Sequence, residues 1–150
     1  MRAVIQRVNK ASVFSPPAYF EQIGNGMLVF LGIEANDTQN EANWLANKII
    51  HLRIFPDTNN LMNLCIQDIK GEMMIISQFT LHASTRKGNR PSFIRSAPPE
   101  KALLLYNDFI DLIKSGLGTS VKIGRFGDHM DISLLNSGPV TIIIDTKLKE

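Results

Sequence analysis

Residues 2–8, RAVIQRV, alternate apolar and polar positions, the period of a half-buried strand, and residues 11–14 continue it. The adjacent prolines of SPPAYF, residues 15–20, cannot sit in a central strand and predict a loop. Asn25-Gly26 then supplies a turn, and residues 27–33 read as a buried strand. Thr38 and Glu41 have capping-box spacing, with Asn36 and Asp37 as rival caps, so a helix is expected there. Ala42, Leu45, Ile49 and Leu52 fall on its inner face, and it should end near Arg53. Pro56-Asp57 and Asn59-Asn60 mark a turn region. Residues 73–81, MMIISQFTL, predict an apolar strand interrupted by Ser77-Gln78. Pro98-Pro99-Glu100 opens a second helix with the stripe Ala102, Leu105/Tyr106, Phe109 and Leu112/Ile113, stopping at Gly116 or Gly118. Three strands are expected near 120–124, 130–136 and 140–146.

This order, roughly β-β-β-α-β-β-α-β-β-β, contains no repeat, linker or low-complexity segment. It predicts an α+β fold: mainly antiparallel, barrel-like sheet with two amphipathic helices packed against it, in a single domain over residues 1–150. The 150 residues are 44% hydrophobic and 20% charged, which suits one globular unit. A domain of this size buries roughly 70% of its unfolded surface and needs no disulfide or metal to hold it. The single cysteine, Cys65, excludes an intramolecular disulfide. With no signal peptide and no apolar run near the ~18 residues of a membrane span, a cytoplasmic protein with no membrane partner is expected. Net charge is only +2, but its distribution is uneven: Ser84 to Pro99 carries Arg86, Lys87, Arg90 and Arg95 and no acid.

Conspicuous catalytic chemistry is missing. There is no nucleophile elbow, zinc-protease motif, P-loop or dinucleotide fingerprint. His51, His82 and His129 have no metal-ligand spacing among themselves or with Cys65, so no metal or other cofactor is expected. Cys65 sits among apolar residues and reads as a small hydrophobe. Nothing suggests a Ser-His-Asp triad, and the pattern favours catalysis by backbone groups or by the substrate itself.

Two short segments carry that possibility. In Ser77-Gln78-Phe79-Thr80-Leu81, the plain reading is a strand end whose hydroxyls satisfy nearby carbonyls. The sharper reading turns backbone N–H groups toward a pocket as oxyanion donors, each worth on the order of 3 kcal/mol in acyl transfer. In Asn136-Ser137-Gly138-Pro139-Val140-Thr141, the plain reading is a hairpin turn. The sharper one is a cis X-Pro bond, about 0.5–1 kcal/mol above trans, that aims two carbonyls outward as an acceptor pair for an ammonium group.

SQFTL at 77–81 and NSGPVT at 136–141 resemble the two signature motifs of the D-aminoacyl-tRNA deacylases. MRAVIQRVNKASV at the start, RIFPD at 53–57, MN at 62–63, RPSF at 90–93 and GRFGDHM at 124–130 fit the same family in order and spacing, nearly end to end. The resemblance implies a homodimer that hydrolyses the ester between a D-amino acid and the 3′ end of tRNA, without a metal. It implies that Gly138-Pro139 reaches from one subunit into the other's pocket and holds the amino-acid backbone, so that an L side chain is excluded; glycyl-tRNA, with no side chain to exclude, would also be accepted. Gln6, Arg7, Asn136 and Met130 join Gly138 and Pro139 on the substrate side, with Arg7 fixing the orientation of the Gly-Pro element. Ser77, Gln78, Phe79 and Thr80 line the adenosine and ester side, with oxyanion donors near Phe79 and Thr80, and the ribose 2′-hydroxyl assists. Arg86, Lys87 and Arg90 are expected against acceptor-stem phosphates, which position RNA without reading sequence. No DNA partner is expected.

The chain departs from the family pattern at SPPAYF, at NNLMN (residues 59–63, lacking Gly-Lys) and at Asp128-His129. The alternatives are the sister deacylases with a trans Gly-Pro that admit a small L-residue, a non-catalytic RNA-binding dimer, and a deacylase of small D-amino-acid esters. Ser77 and Phe79 argue against the first.

Overall fold

The computed structural model describes residues 1–149. Its centre is one long strand, β1 (Arg2–Ser15). Along one edge, β1 pairs antiparallel with β3 (Gly26–Gly32) through its first half and with β2 (Tyr19–Ile23) through its second. The whole of its other edge pairs antiparallel with β8 (Asp131–Asp145). Beyond β3 the sheet continues in parallel, through β6 (Glu72–Ser77) to the short β7 (Val121–Ile123). Side chains draw β2 and β7 together: Tyr19 Oη donates to Ile123 O at 2.6 Å, and Lys122 Nζ lies 2.8 Å from Glu21 Oε2. The result is the mainly antiparallel, barrel-like α+β fold expected, with two helices on its outside.

The pleat of β3 and β6 sorts their residues between two cores. Met27, Val29, Leu31, Met73 and Ile75 face the helices, while Leu28, Met74 and Ile76 join Val8, Ala11, Val13 and Ile23 inside the barrel. Burial on both faces is why these strands read as unbroken apolar runs. Helix α1 (Gln39–Ile50) starts at the predicted capping box, with Thr38 and Glu41 satisfying each other's backbone and side-chain groups. It buries Ala42, Leu45, Ala46, Ile49 and Ile50 against α2 (Pro99–Leu117), whose stripe is Leu105, Tyr106, Phe109, Ile110, Ile113 and Leu117. Gly118 ends α2 in the left-handed conformation (φ +72°), the common glycine stop. No helix among the described residues is long and apolar enough to cross a membrane.

Four expectations change. The 15–20 loop shrinks to residues 16–18, because Tyr19 and Phe20 already pair with Ser15 and Phe14. Helix α1 stops at Ile50, with His51 as its cap, so Leu52 lies beyond the helix. The turn at 57–61 is flanked by a small ladder, β4 (Phe55–Pro56) with β5 (Met62–Leu64). The strand expected through residue 81 ends at Ser77 and gives way to a 3₁₀ turn, Phe79–His82.

The largest correction concerns the chain's end. Three closing strands were expected, and there are two, because residues 131–145 form one strand rather than a hairpin around Gly138-Pro139. Both halves of β8 pair with β1. Gln6 faces Thr141 and Val8 faces Asn136, so two steps along β1 match five along β8 and three residues are extruded as a bulge.

Candidate active site

Strand β6 delivers the first motif. With β3 and β7 parallel on either side, three strands end at the same edge of the sheet, the place where parallel α/β sheets bind ligands. A cavity of about 580 Å³ opens there. Ser77, Gln78 and Phe79 line it from the strand end, Phe93 and Ser96 from the loop before α2, and Met130 from the segment before β8. Gly124 makes room for Met130: a Cβ at position 124 would lie 2.6 Å from the Met130 sulfur.

The chain leaves the sheet at Gln78, whose N–H makes a last bond to Leu31 O at 2.8 Å before the backbone turns. A 3₁₀ helix leaves its first N–H groups without internal partners, and Gln78 places no side-chain cap on them. Among the described residues no protein acceptor takes the N–H of Phe79 or Thr80. Phe79 is 57% exposed at this corner. Its ring meets Phe93 edge-to-face at 5.0 Å, and Ser96 Oγ donates to its carbonyl at 3.0 Å. The Gln78 amide donates to Thr80 Oγ1. No carboxylate or imidazole bonds that hydroxyl among the described residues, so nothing activates Thr80 as a nucleophile.

The second motif forms a separate cluster. Asn136 closes the neck of the bulge with both ends of its amide: Nδ2 donates to Val140 O and Oδ1 accepts from Val140 N, each at 3.0 Å. Arg7 braces it from β1, donating from Nε to Ser137 O at 3.0 Å and from Nη1 to Ile54 O at 2.6 Å. Gln6 Nε2 donates to Thr141 Oγ1 at 3.2 Å, just beyond the bulge. The Gly138-Pro139 peptide is cis, with Gly138 at φ +127°, and both residues face solvent.

Of the residues singled out in the sequence, Ser77, Gln78, Phe79 and Met130 therefore meet at the cavity, with the Thr80 backbone beside it. Gln6, Arg7, Asn136, Gly138 and Pro139 gather at the bulge, and none of them lines the same chain's cavity. Arg86, Lys87 and Arg90 are exposed on the loop between the 3₁₀ turn and α2. Phe126, Asp128 and His129 also line the cavity wall; the sequence marked Asp128-His129 only as a departure from the family pattern and assigned none of the three to the site. Their signal was the aromatic and polar content of GRFGDHM, a segment too short in apolar residues to be core.

Sequence reasoning also passed over what lies under the 3₁₀ turn. His82 is 1% exposed, neither ring nitrogen is hydrogen-bonded among the described residues, and Nδ1 lies 3.3 Å from the buried carboxylate of Glu34. Burial lowers its pKa, against the opposing pull of the Gly32 backbone and Glu34. Burial disfavours the Glu34 carboxylate, yet Lys147 and His82 hold it below the usual range. No cluster of His, Cys, Asp and Glu fit to hold a metal occurs among the described residues. His51 and His129 are exposed, and Cys65 is a buried free thiol.

A family model described as D-Tyr-tRNA(Tyr) deacylase matches residues 4–145. The chain belongs to the D-Tyr-tRNA(Tyr) deacylase family. Within that deacylase family it is 51% identical to a D-aminoacyl-tRNA deacylase of Flavobacterium psychrophilum and 52% identical to one of Phocaeicola vulgatus, with all of both chains covered in each case. Among solved structures it is similar to a c-Myc DNA unwinding element binding protein, 37% identical, TM-score 0.91, covering 97% of this chain and 98% of that one. A probable eukaryotic D-amino acid tRNA deacylase, 15% identical, shares the fold with a TM-score of 0.83 over 95% of this chain and 97% of its own.

Proposed function

We propose that residues 1–150 form one deacylase domain that hydrolyses the ester of D-aminoacyl-tRNA, releasing tRNA and the free D-amino acid. Membership of the family and the full-length likeness to named deacylases support the reaction. The observation that carries the mechanism is the pair of uncommitted N–H groups at Phe79 and Thr80, at the edge of a cavity large enough for a terminal nucleoside. Water adds to the ester carbonyl carbon, and the new oxyanion is held by those two donors. The bond to the ribose 3′-oxygen then breaks, and the adjacent 2′-hydroxyl relays the proton that the leaving oxygen needs. The reaction asks for no side-chain base, in keeping with the inert surroundings of Thr80.

Selection by handedness belongs to the bulge. Gly138 and Pro139 offer carbonyls to the amino-acid backbone, and Arg7 and Asn136 hold those carbonyls still. A rigid main-chain rim admits any D side chain and excludes an L side chain by sterics; glycyl-tRNA passes too. Because the bulge and the cavity of one chain are separate, the bulge serves a partner's cavity in a homodimer. Leu135 (50% exposed) and Ile143 (67% exposed) on β8 give that interface apolar surface. Arg86, Lys87 and Arg90 contact acceptor-stem phosphates, and the setting is the cytoplasm.

One assay decides: release of amino acid from matched D- and L-tyrosyl-tRNA, and from a D-substrate lacking the terminal 2′-hydroxyl, with duplex DNA as competitor. Expected are fast D-release, negligible L-release, loss of rate without the hydroxyl and no competition. No release from D-tyrosyl-tRNA would return the chain to the non-catalytic RNA-binding reading.

A further inference from the structure

The cavity's outer wall, residues 124–130, lies between β7 and β8 and gains little from the sheet. Strand β7 is only three residues long and pairs on one side with β6. After Gly124 N donates to Ile75 O at 3.0 Å, the one backbone bond within the wall among the described residues is Asp128 N to Arg125 O at 3.3 Å. Yet this segment carries Phe126, Gly127 and Met130 to the cavity.

What holds it comes from the two residues that flank the turn between β1 and β2, Ser15 and Tyr19. Tyr19 lies with its hydroxyl donating to Ile123 O at 2.6 Å, and its ring sits 5.6 Å below the Arg125 guanidinium. Burial and then Glu21 raise the Tyr19 pKa, so the phenol remains a donor at neutral pH. Ser15, 1% exposed, donates from Oγ to Asp128 Oδ2 at 3.2 Å. The same carboxylate oxygen lies 3.4 Å from Arg125 Nε. Asp128 thus joins the turn to the wall, and Arg125 ties both contacts together.

We propose that Ser15 and Tyr19 are positioning residues for substrate: with Arg125 and Asp128 they latch the 124–130 wall of the cavity in its binding shape. Neither reaches the reacting atoms. Their effect falls on how well the terminal nucleotide is held, which is a KM effect with kcat preserved. The kinetic part rests on the deacylase reading; the mechanical part does not.

The experiment compares Ser15→Ala, Tyr19→Phe and the double variant with the wild type. Two readouts are taken: steady-state hydrolysis of D-tyrosyl-tRNA, and amide hydrogen exchange across residues 124–130. Each single variant loses one hydrogen bond, so KM should rise by about two- to tenfold with kcat within about twofold. Exchange at 125–130 should quicken while helices α1 and α2 stay protected, and the double variant should cost less than the product of the singles. Asp128→Asn, which keeps an acceptor for Ser15, should retain most of the latch that Asp128→Ala loses. Unchanged KM and exchange in both single variants would overturn the proposal, and so would a uniform rise in exchange across the whole chain. A wild type that does not hydrolyse D-tyrosyl-tRNA defeats the functional reading alone, because local exchange still decides the latch.

Discussion

The most direct perturbation of the bulge is a single methyl group, Gly138→Ala. Gly138 sits at φ +127°, a region that L side chains rarely adopt, which costs roughly 1–3 kcal/mol for any other residue. The added Cβ would also lie 2.6 Å from Arg7 Nη2 and 3.0 Å from Val140 Cγ2. Arg7 has little freedom to yield, because its Nε and Nη1 are committed to Ser137 O and Ile54 O. Moving the guanidinium away from Ser137 gives up a charge-assisted bond worth about 1.5–3 kcal/mol. The combined strain, roughly 2.5–6 kcal/mol, is relieved by displacing the exposed bulge rather than by unfolding the sheet. If the bulge carbonyls orient the substrate, the lower figure alone corresponds to roughly 10²-fold in kcat/KM. Single-turnover release from D- and L-tyrosyl-tRNA reads this directly, with thermal unfolding as the control. The expected result is a hundredfold loss of D-release with a melting temperature lowered by only a few degrees. Wild-type D-release with wild-type D-to-L discrimination in Gly138→Ala would refute the bulge as the selector.

Thr80→Ala should keep D-release within about threefold of wild type, since only the backbone N–H is asked to act; abolished turnover would make the hydroxyl a chemical participant. Neutralising Arg86, Lys87 and Arg90 together should weaken tRNA binding and lower the slope of log affinity against log salt by about 0.9 for each duplex phosphate they had neutralised, and an unchanged slope would remove them from the interface. His82 binds a proton more weakly folded than unfolded, so its cost to stability is absent above about pH 6.5 and grows as pH falls through that value. Thermal midpoints between pH 8 and 5 should therefore fall toward acid, and His82→Leu should flatten the fall. Glu34 and Asp145, both held low, lose their stabilising contribution only at more acidic pH. A midpoint that rises toward pH 5 would contradict the assignment.

The elements legible in the sequence were those fixed by local physics. A capping box decides a helix start with four residues, so Thr38 and Glu41 could be read without knowing what α1 packs against. The stripe of α2 was equally readable, from Leu105 to Ile113, because its period depends on the helix alone. The corner at the end of β6 was half legible. Ser77-Gln78 marked a polar break in the apolar run, but the cavity beyond it is completed by Phe93, Ser96 and Phe126, whose arrival depends on loops between distant elements. The family likeness located the motifs; it did not say how they are held.

Residues 131–145 show why the rest stayed hidden. Two apolar runs around Gly138-Pro139 have the same appearance whether they pair with each other as a hairpin or lie end to end on a third strand. The choice belongs to β1, whose 14 residues are long enough to accept both halves. Once both halves are fixed to one partner, the extra residues between them have nowhere to go but outward. A hairpin turn would have hidden its carbonyls in its own ladder, whereas an extruded bulge presents them to whatever lies opposite. The clasp from Asn136 to Val140 closes that bulge locally, but the brace from Arg7 to Ile54 spans 47 positions and exists only in the folded sheet. Rigidity of the Gly-Pro element is therefore a property of β1 as much as of the motif. Arg7→Lys, which keeps the charge but lacks the planar fork whose separate Nε and Nη1 reach Ser137 O and Ile54 O, should loosen D-to-L discrimination without lowering the charge that RNA meets. Comparison of that ratio with the one in Gly138→Ala separates a misplaced bulge from a mobile one: displacement lowers D-release, while mobility raises L-release.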